Sequence, residues 1–323
     1  DHGNMFGAIE FYKGMRAEGI KPIIGLEAYI HNNDDISSKE SRQRFHLCLF
    51  AKNEIGYQNL MYLSSMSYIK GYYYYPRINK KLLREHSDGL VCSSACLAGE
   101  VNFHLNLSER NLKRGAGGYE AAKAAALEYK DIFGDDFYLE LQDHNLPEQK
   151  RINPLLIKLS KEIEVPLVAT NDVHYLERAD AEMQDVLMCI QMGKFLDDTD
   201  RLKFSTDEFY LKSREEMEQA LGGFDDAFDA TLEIADKCEV VIRSKGFEDI
   251  PGIDKQKYVL PANENYIPAY TSPDGLTNFE YLSKLARDGL PKRYKVITPE
   301  IQERLDTELE IINELGFVEY FLV

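Results

Sequence analysis

Asp172-Val173-His174 carries a carboxylate and an imidazole two residues apart, directly after the apolar run Pro166-Leu167-Val168-Ala169-Thr170. At a strand end, side chains i and i+2 leave the same side of an extended backbone. The pair can share one divalent ion, or the carboxylate can orient the imidazole. The plainer alternative is an aspartate that caps the next helix beside a surface histidine. Asp1-His2-Gly3 repeats the pairing just before a helical pattern, where Asp1 reads more simply as a cap. Glu27 sits among Ile23, Ile24, Leu26, Tyr29 and Ile30. A carboxylate buried there needs a cation, an ion pair or a metal, unless it lies half-exposed at the strand end.

His46 opens the run Phe45–Phe50 and shares a face with Cys48 and Phe50, where a histidine satisfied within the core is the ordinary reading. Cys96, in Ser93-Ser94-Ala95-Cys96-Leu97-Ala98-Gly99, follows another strand pattern. Its thiolate suits zinc, although a single cysteine is usually a small buried hydrophobe. Cys92 lies four residues earlier, without the second pair that a zinc framework requires. His144 is an outside candidate, and His31, His86 and His104 sit in polar surroundings and receive no role. Together His2, Glu27, His46, Cys96, Asp172 and His174 form a mixed nitrogen, oxygen and sulfur set near strand termini, suited to a site of several divalent ions. Such sites hydrolyse phosphate esters by holding the phosphate and activating water.

The elements that must position these residues alternate. Apolar spacing predicts helices over residues 6–18, 53–69, 117–132 and 147–163, and strands over 22–30, 45–50, 89–93, 137–141 and 166–170. Residues 31–44 read as a loop. Strands separated by long helices point to βα units and a parallel sheet, closed as a barrel, with reactive groups at strand ends. Beyond His174 the pattern turns helical over 178–194, 214–236 with a break at Gly222-Gly223, 276–290 and 298–315. A proline-, asparagine- and tyrosine-rich stretch from Gly252 to about Asp274 reads as a crossing linker.

The 323 residues exceed one ordinary domain of about 150, which favours two domains or a barrel of roughly 250 with an appendage. With 38 Lys and Arg against 55 Asp and Glu, the net charge of −17 excludes a broadly basic nucleic-acid-binding surface, so contact with DNA must be local, metal-mediated or made by other parts of a larger protein. No apolar run reaches the roughly 18 residues of a membrane span. Five cysteines without framework spacing point to a reduced, cytoplasmic setting. Both ends read as cut from a longer chain, since there is no initial methionine and the sequence stops inside the apolar run Phe317–Val323.

Seven motifs occur in order: Asp-His-Gly-Asn-Met-Phe-Gly at 1–7, Gly-Ile-Lys-Pro-Ile-Ile-Gly-Leu-Glu-Ala-Tyr at 19–29, Phe-His-Leu-Cys-Leu-Phe-Ala-Lys at 45–52, Tyr-Tyr-Pro-Arg-Ile at 74–78, Ser-Ala-Cys-Leu-Ala-Gly-Glu at 94–100, Glu-Leu-Gln-Asp-His at 140–144 and Ala-Thr-Asn-Asp-Val-His-Tyr at 169–175. This set closely resembles the polymerase-and-histidinol-phosphatase (PHP) domain of the alpha subunits of bacterial DNA polymerase III, the C-family replicative polymerases. Arg304 to Leu322 resembles the start of their palm domain.

The resemblance implies an α/β fold, a distorted (β/α)7 PHP barrel over 1–250, a linker over 251–275 and a truncated palm over 276–323. It implies metal ligands at His2, Glu27, His46, Cys96, Asp172 and His174, the six reached from the residues themselves. Divalent zinc, manganese or magnesium would occupy the site, which would act as a 3′–5′ exonuclease, with Mg²⁺ serving polymerisation by the parent protein. The implied partners are primer-template DNA, dNTPs, a sliding clamp and a proofreading subunit, with no membrane. The family's opening His-x-His motif and its polymerase aspartates are expected to lie outside this chain. Two alternatives are a stand-alone phosphoesterase on a small phosphate monoester and a structural scaffold. Tyr72-Tyr73-Tyr74-Tyr75 either stacks on a base or packs internally.

Overall fold

The computed structural model describes residues 1–107, 117–243, 253–258 and 270–323. Six strands form one sheet in the order β3-β1-β2-β4-β5-β6. They are β1 (Gly25–His31), β2 (Phe45–Ala51), β3 (Arg77–Asn79), β4 (Leu90–Ser93), β5 (Phe137–Leu141) and β6 (Leu167–Ala169). The β1/β3, β4/β5 and β5/β6 pairs are parallel, whereas β1/β2 and β2/β4 are antiparallel. The mixed α/β architecture read from the sequence is therefore present, with β2 reversed against the other five strands. The reversal follows from the β1–β2 connection, which contains no helix. A parallel return needs a crossover of a dozen or more residues, usually helical, so the chain comes straight back antiparallel.

The helices that accompany this sheet in the chain are α1 (Ala8–Ala17), α2 (Glu54–Ile69), α3 (Lys80–Glu85), α4 (Glu100–Leu105), α5 (Tyr119–Phe133), α6 (Pro147–Ile163), α7 (Ala181–Met192), α8 (Arg214–Leu221) and α9 (Asp225–Lys237). Asn53 starts α2 by accepting a hydrogen bond from the Gly56 N–H at 3.1 Å, a side-chain cap. Gly56 itself has no room for a Cβ, which would lie 1.9 Å from the Gly89 carbonyl. Ile152, Leu156, Leu159 and Ile163 of α6 are spaced to line one helical face, and all are buried.

The two faces of the sheet are covered differently, and this difference makes the site. In β2 a period of two buries Phe45, Leu47, Leu49 and Ala51 and leaves His46, Cys48 and Phe50 half-exposed on the other face. The buried face, with Leu26, Ala28 and Ile30 of β1 and Leu139 of β5, packs against Leu60 and Leu63 of α2, Ala122 and Tyr129 of α5 and Leu156 of α6. On the opposite face, Val91, Tyr138 and Val168 are covered by Ala230 and Ile234 of α9. That cover reaches β4, β5 and β6 and leaves the polar residues of β1 and β2 without an apolar lid.

The chain divides into two compact units, Asp1–Val259 and Leu260–Val323. Besides the elements above, the first holds a short helix α10 (Lys255–Tyr258). The second contains α11 (Asn278–Arg293), α12 (Pro299–Glu314) and α13 (Val318–Leu322). Thr277 and Glu280 form a reciprocal cap on α11, and Thr298 with Pro299 at the first helical position starts α12. Of the linker expected over 251–275, residues 251–252 and 259–269 lie outside the described residues.

Candidate metal centre

Glu27 lies opposite Cys48 in the β1/β2 register, and Tyr29 lies opposite His46. Glu27 and His46 are thus diagonal neighbours on the face that α9 leaves open. The chain start is sewn onto the same strand: the Glu27 N–H donates to the Asp1 carbonyl at 3.0 Å and the Gly3 N–H to the Glu27 carbonyl at 2.8 Å. This pairing aligns His2 with Glu27. Gly3 makes the turn at φ +73°, where a Cβ would lie 2.7 Å from the Tyr29 ring. Asp1 takes the plainer of its two readings, since its carboxylate accepts the Gly7 N–H ahead of α1 at 2.7 Å.

One carboxylate serves two imidazoles. His2 Nδ1 donates to one Glu27 oxygen, and His46 Nδ1 stands 2.9 Å from the other. The His2 and His46 rings meet edge-on at 4.7 Å. Burial by itself would push the Glu27 carboxyl up, but hydrogen bonds from His2 and His46 outweigh it and hold the group far below the usual carboxylate range. Cys96 Sγ lies 3.6 Å from His46 Nδ1. Its loop is tied to β2 by the His46 N–H donating to the Ala98 carbonyl at 3.0 Å. Burial, reinforced by the charge of Asp172, raises the Cys96 thiol, so it keeps its proton at neutral pH.

Asp172 and His174 reach the same cavity by a route other than the extended backbone expected for them. Asp172 is left-handed at φ 44°, a conformation that non-glycine residues seldom adopt. His174 Nδ1 donates to the Asp172 backbone carbonyl at 2.6 Å, with the Asp172 carboxylate 4.0 Å away. That bond fixes the tautomer and leaves the His174 Nε2 lone pair available. The loop is held by Asn171, whose amide donates to the Glu208 and Tyr210 carbonyls at 2.9 and 2.7 Å.

His2, Glu27, His46, Cys96, Asp172 and His174 all line one cavity of about 440 Å³. Among the described residues, His2, Glu27 and His46 are the group of three whose donor atoms lie within 4.8 Å of one another. Cys96 adjoins that triad through His46, while Asp172 and His174 line the same cavity outside the group of three. Neither Glu27 nor Asp172 is paired with a lysine or arginine among the described residues, and the basic side chains nearest their oxygens are histidines. Two imidazoles on a shared carboxylate beside a thiol is a donor set that fits a borderline divalent cation.

His144 also lines the cavity, but both its ring nitrogens are engaged. It donates through Nε2 to the Asn171 carbonyl at 2.8 Å and accepts from the Gln149 amide at 2.7 Å, which makes it a structural histidine. Cys92 is buried in the core instead. His31 is buried among polar neighbours, and its Nδ1 accepts from the Asn33 N–H at 3.3 Å. Glu140 was not singled out in the sequence, yet it is buried beside the cavity. It accepts from Ser93 at 2.6 Å, Thr170 at 2.5 Å and Gln142 at 3.0 Å. Burial raises its carboxyl despite these bonds. The feature that marks Glu27, a carboxylate inside an apolar strand, marks Glu140 equally well.

No helix among the described residues is long and apolar enough to cross a membrane. Residues 1–144 match the family model described as PHP domain, and residues 280–323 match that of the bacterial DNA polymerase III alpha NTPase domain. Over its whole length the chain is 52% identical to the DNA polymerase III subunit alpha of Helicobacter pylori and 50% identical to that of Campylobacter jejuni, spanning 27% of each. Across 91% of its length it is 41% identical to the Thermus aquaticus subunit, spanning 23% of that protein. Both family segments are in place, and the whole chain is similar to bacterial DNA polymerase III alpha subunits over the 27% of their length that it spans.

Proposed function

We propose that His2, Glu27, His46, Cys96, Asp172 and His174 hold divalent cations in a centre that hydrolyses the terminal phosphodiester of a DNA strand, as a 3′–5′ exonuclease. The observation that carries this reading is Glu27, one carboxylate gripped by two imidazoles in a cavity lined by the other three candidates. A bound divalent ion, whether zinc, manganese or magnesium, supplies Lewis-acid polarisation of the phosphoryl group and a water acidic enough to attack near neutral pH. The residues supply the rest. Glu27 orients His2 and His46, and the Asp172 carbonyl orients the His174 ring so that Nε2 can bind a ligand or accept a proton. The buried Asp172 carboxyl, raised by desolvation, gains a charge partner when a cation is present.

For the parent protein we propose DNA-directed DNA polymerisation on primer-template DNA with dNTPs and Mg²⁺. This chain would supply a PHP domain over 1–250, a linker over 251–275 and the start of the palm over 276–323, in a cytoplasmic replisome with a sliding clamp and a proofreading subunit. Full-length similarity to polymerase subunits favours this reading over a stand-alone phosphatase. The test is elemental metal analysis of the purified chain beside an Asp172→Ala, His174→Ala variant, followed by release of nucleotides from a 3′-labelled strand. Bound metal that the variant loses, with strand shortening that follows metal content, is the expected result. Absence of metal from both proteins would leave the scaffold reading standing.

A further inference from the structure

We propose that Arg42, Arg44, Tyr74 and Tyr75 form a stacking surface for single-stranded polynucleotide that leads a strand end to the His2–Glu27–His46 centre, an inference that rests on the phosphodiesterase reading above. The guanidinium of Arg42 lies 3.7 Å over the Tyr74 ring and that of Arg44 lies 3.4 Å over Tyr75. Neither arginine is ion-paired with a carboxylate among the described residues, although the chain carries a net charge of −17. The neighbouring Arg77 differs. Its N–H groups are consumed by the carbonyls of Gly71, Ser41 and Ser38 at 3.3, 2.9 and 2.6 Å, so it braces the two loops.

Two further features single the surface out. Tyr74 stands at the apex of a tight turn at φ 62°, closed by the Tyr73 N–H on the Tyr75 carbonyl at 3.1 Å. Holding a bulky aromatic in the left-handed region is costly, and here it keeps Tyr74 52% exposed. The patch also adjoins the centre across one buried ring, that of Tyr29. Tyr75 meets Tyr29 at 5.2 Å, and Tyr29 meets His2 at 4.9 Å and His46 at 5.4 Å. Arg42 spends one N–H on the Tyr74 hydroxyl, and the remaining guanidinium N–H groups of the two arginines suit phosphate oxygens. Exposed tyrosine faces stack on unpaired bases of any sequence. Paired bases present no free face, so the chemistry selects a single strand.

The test is a fluorescence anisotropy titration of a labelled oligothymidylate of about twelve residues with the whole 323-residue chain in EDTA. Chelation stops hydrolysis, so failure of the metal centre leaves strand binding readable. Arg42→Ala and Tyr74→Gly are each expected to weaken strand binding about tenfold, the scale of one lost stack. Arg42→Ala is also expected to flatten the salt dependence by about 0.7 in log–log slope, one phosphate contact. Variants that bind the strand as the parent does, or a duplex of the same length that binds as tightly, would overturn the assignment. Should Tyr74→Gly fail to fold, Arg42→Ala at its exposed position carries the same test.

Discussion

At the scale of single residues, the centre depends on one carboxylate with two imidazole partners. Glu27→Gln replaces an acceptor oxygen by an amide N–H that faces an imidazole N–H, so one of the contacts to His2 or His46 is lost. Divalent-ion affinity in this variant should fall further than the roughly 10–100-fold caused by losing an outer hydrogen-bond partner, as measured by competition against a chelator. Unchanged affinity would remove Glu27 from the ligand set. Cys96 gives a second readout. Its thiol is raised by burial and by Asp172, so a cation that uses the sulfur must first expel a proton. Metal affinity should therefore climb with pH across the neutral range, and Cys96→Ala should remove about one proton from the slope. A slope that survives in the variant would place Cys96 outside the coordination.

At the scale of elements, the turn after β4 and the segment that follows β5 line the cavity. Gly99 closes the Cys96 turn with its N–H on the Cys96 carbonyl at 2.9 Å, and a Cβ there would lie 2.0 Å from the Ser94 carbonyl. Gly99→Ala should destabilise the fold by about 2 kcal/mol or more and weaken metal binding, because the backbone that sets Cys96 against His46 must move. A thermal melt alongside a metal titration checks both. On β5, burial keeps the Glu140 carboxyl raised, so the folded state retains this proton to higher pH than the unfolded chain. Its contribution is therefore present below the unfolded value and lost as pH rises through the folded one. Relative to the parent, Glu140→Gln should gain stability on going from about pH 4 to about pH 8 in urea melts, and an equal difference at both would reject the raised carboxyl. The alternation in β2 and the six candidate positions were legible because strand periodicity and residue type are local. The reversal of β2, the three-residue β3 and the left-handed Asp172 were not. A reversal depends on what a loop lacks, three residues carry no period, and the Asp172 conformation accompanies hydrogen bonds to a segment some forty residues away.

At the scale of the whole molecule, the apolar burial is unevenly shared. The unit Asp1–Val259 holds the contiguous core of sheet and helices, whereas in Leu260–Val323 the described residues bury only Leu309 and Val318. Short helices without a sizeable buried face are marginal in water, whatever the quality of their caps. Amides of α11 and α12 should accordingly exchange with solvent well before those of β1 and β2, read out by hydrogen exchange and mass spectrometry. Divalent ions sharpen the contrast. All six candidate ligands lie in the first unit, and a ligand that binds only folded protein adds about 2.7 kcal/mol at a hundred times its dissociation constant. Adding metal should slow exchange in β1 and β2 and leave α11 and α12 unchanged, and EDTA should reverse the gain. Equal slowing in both units would mean that they unfold as one cooperative body, and that the marginal helices draw their stability from the metal centre rather than from their own caps.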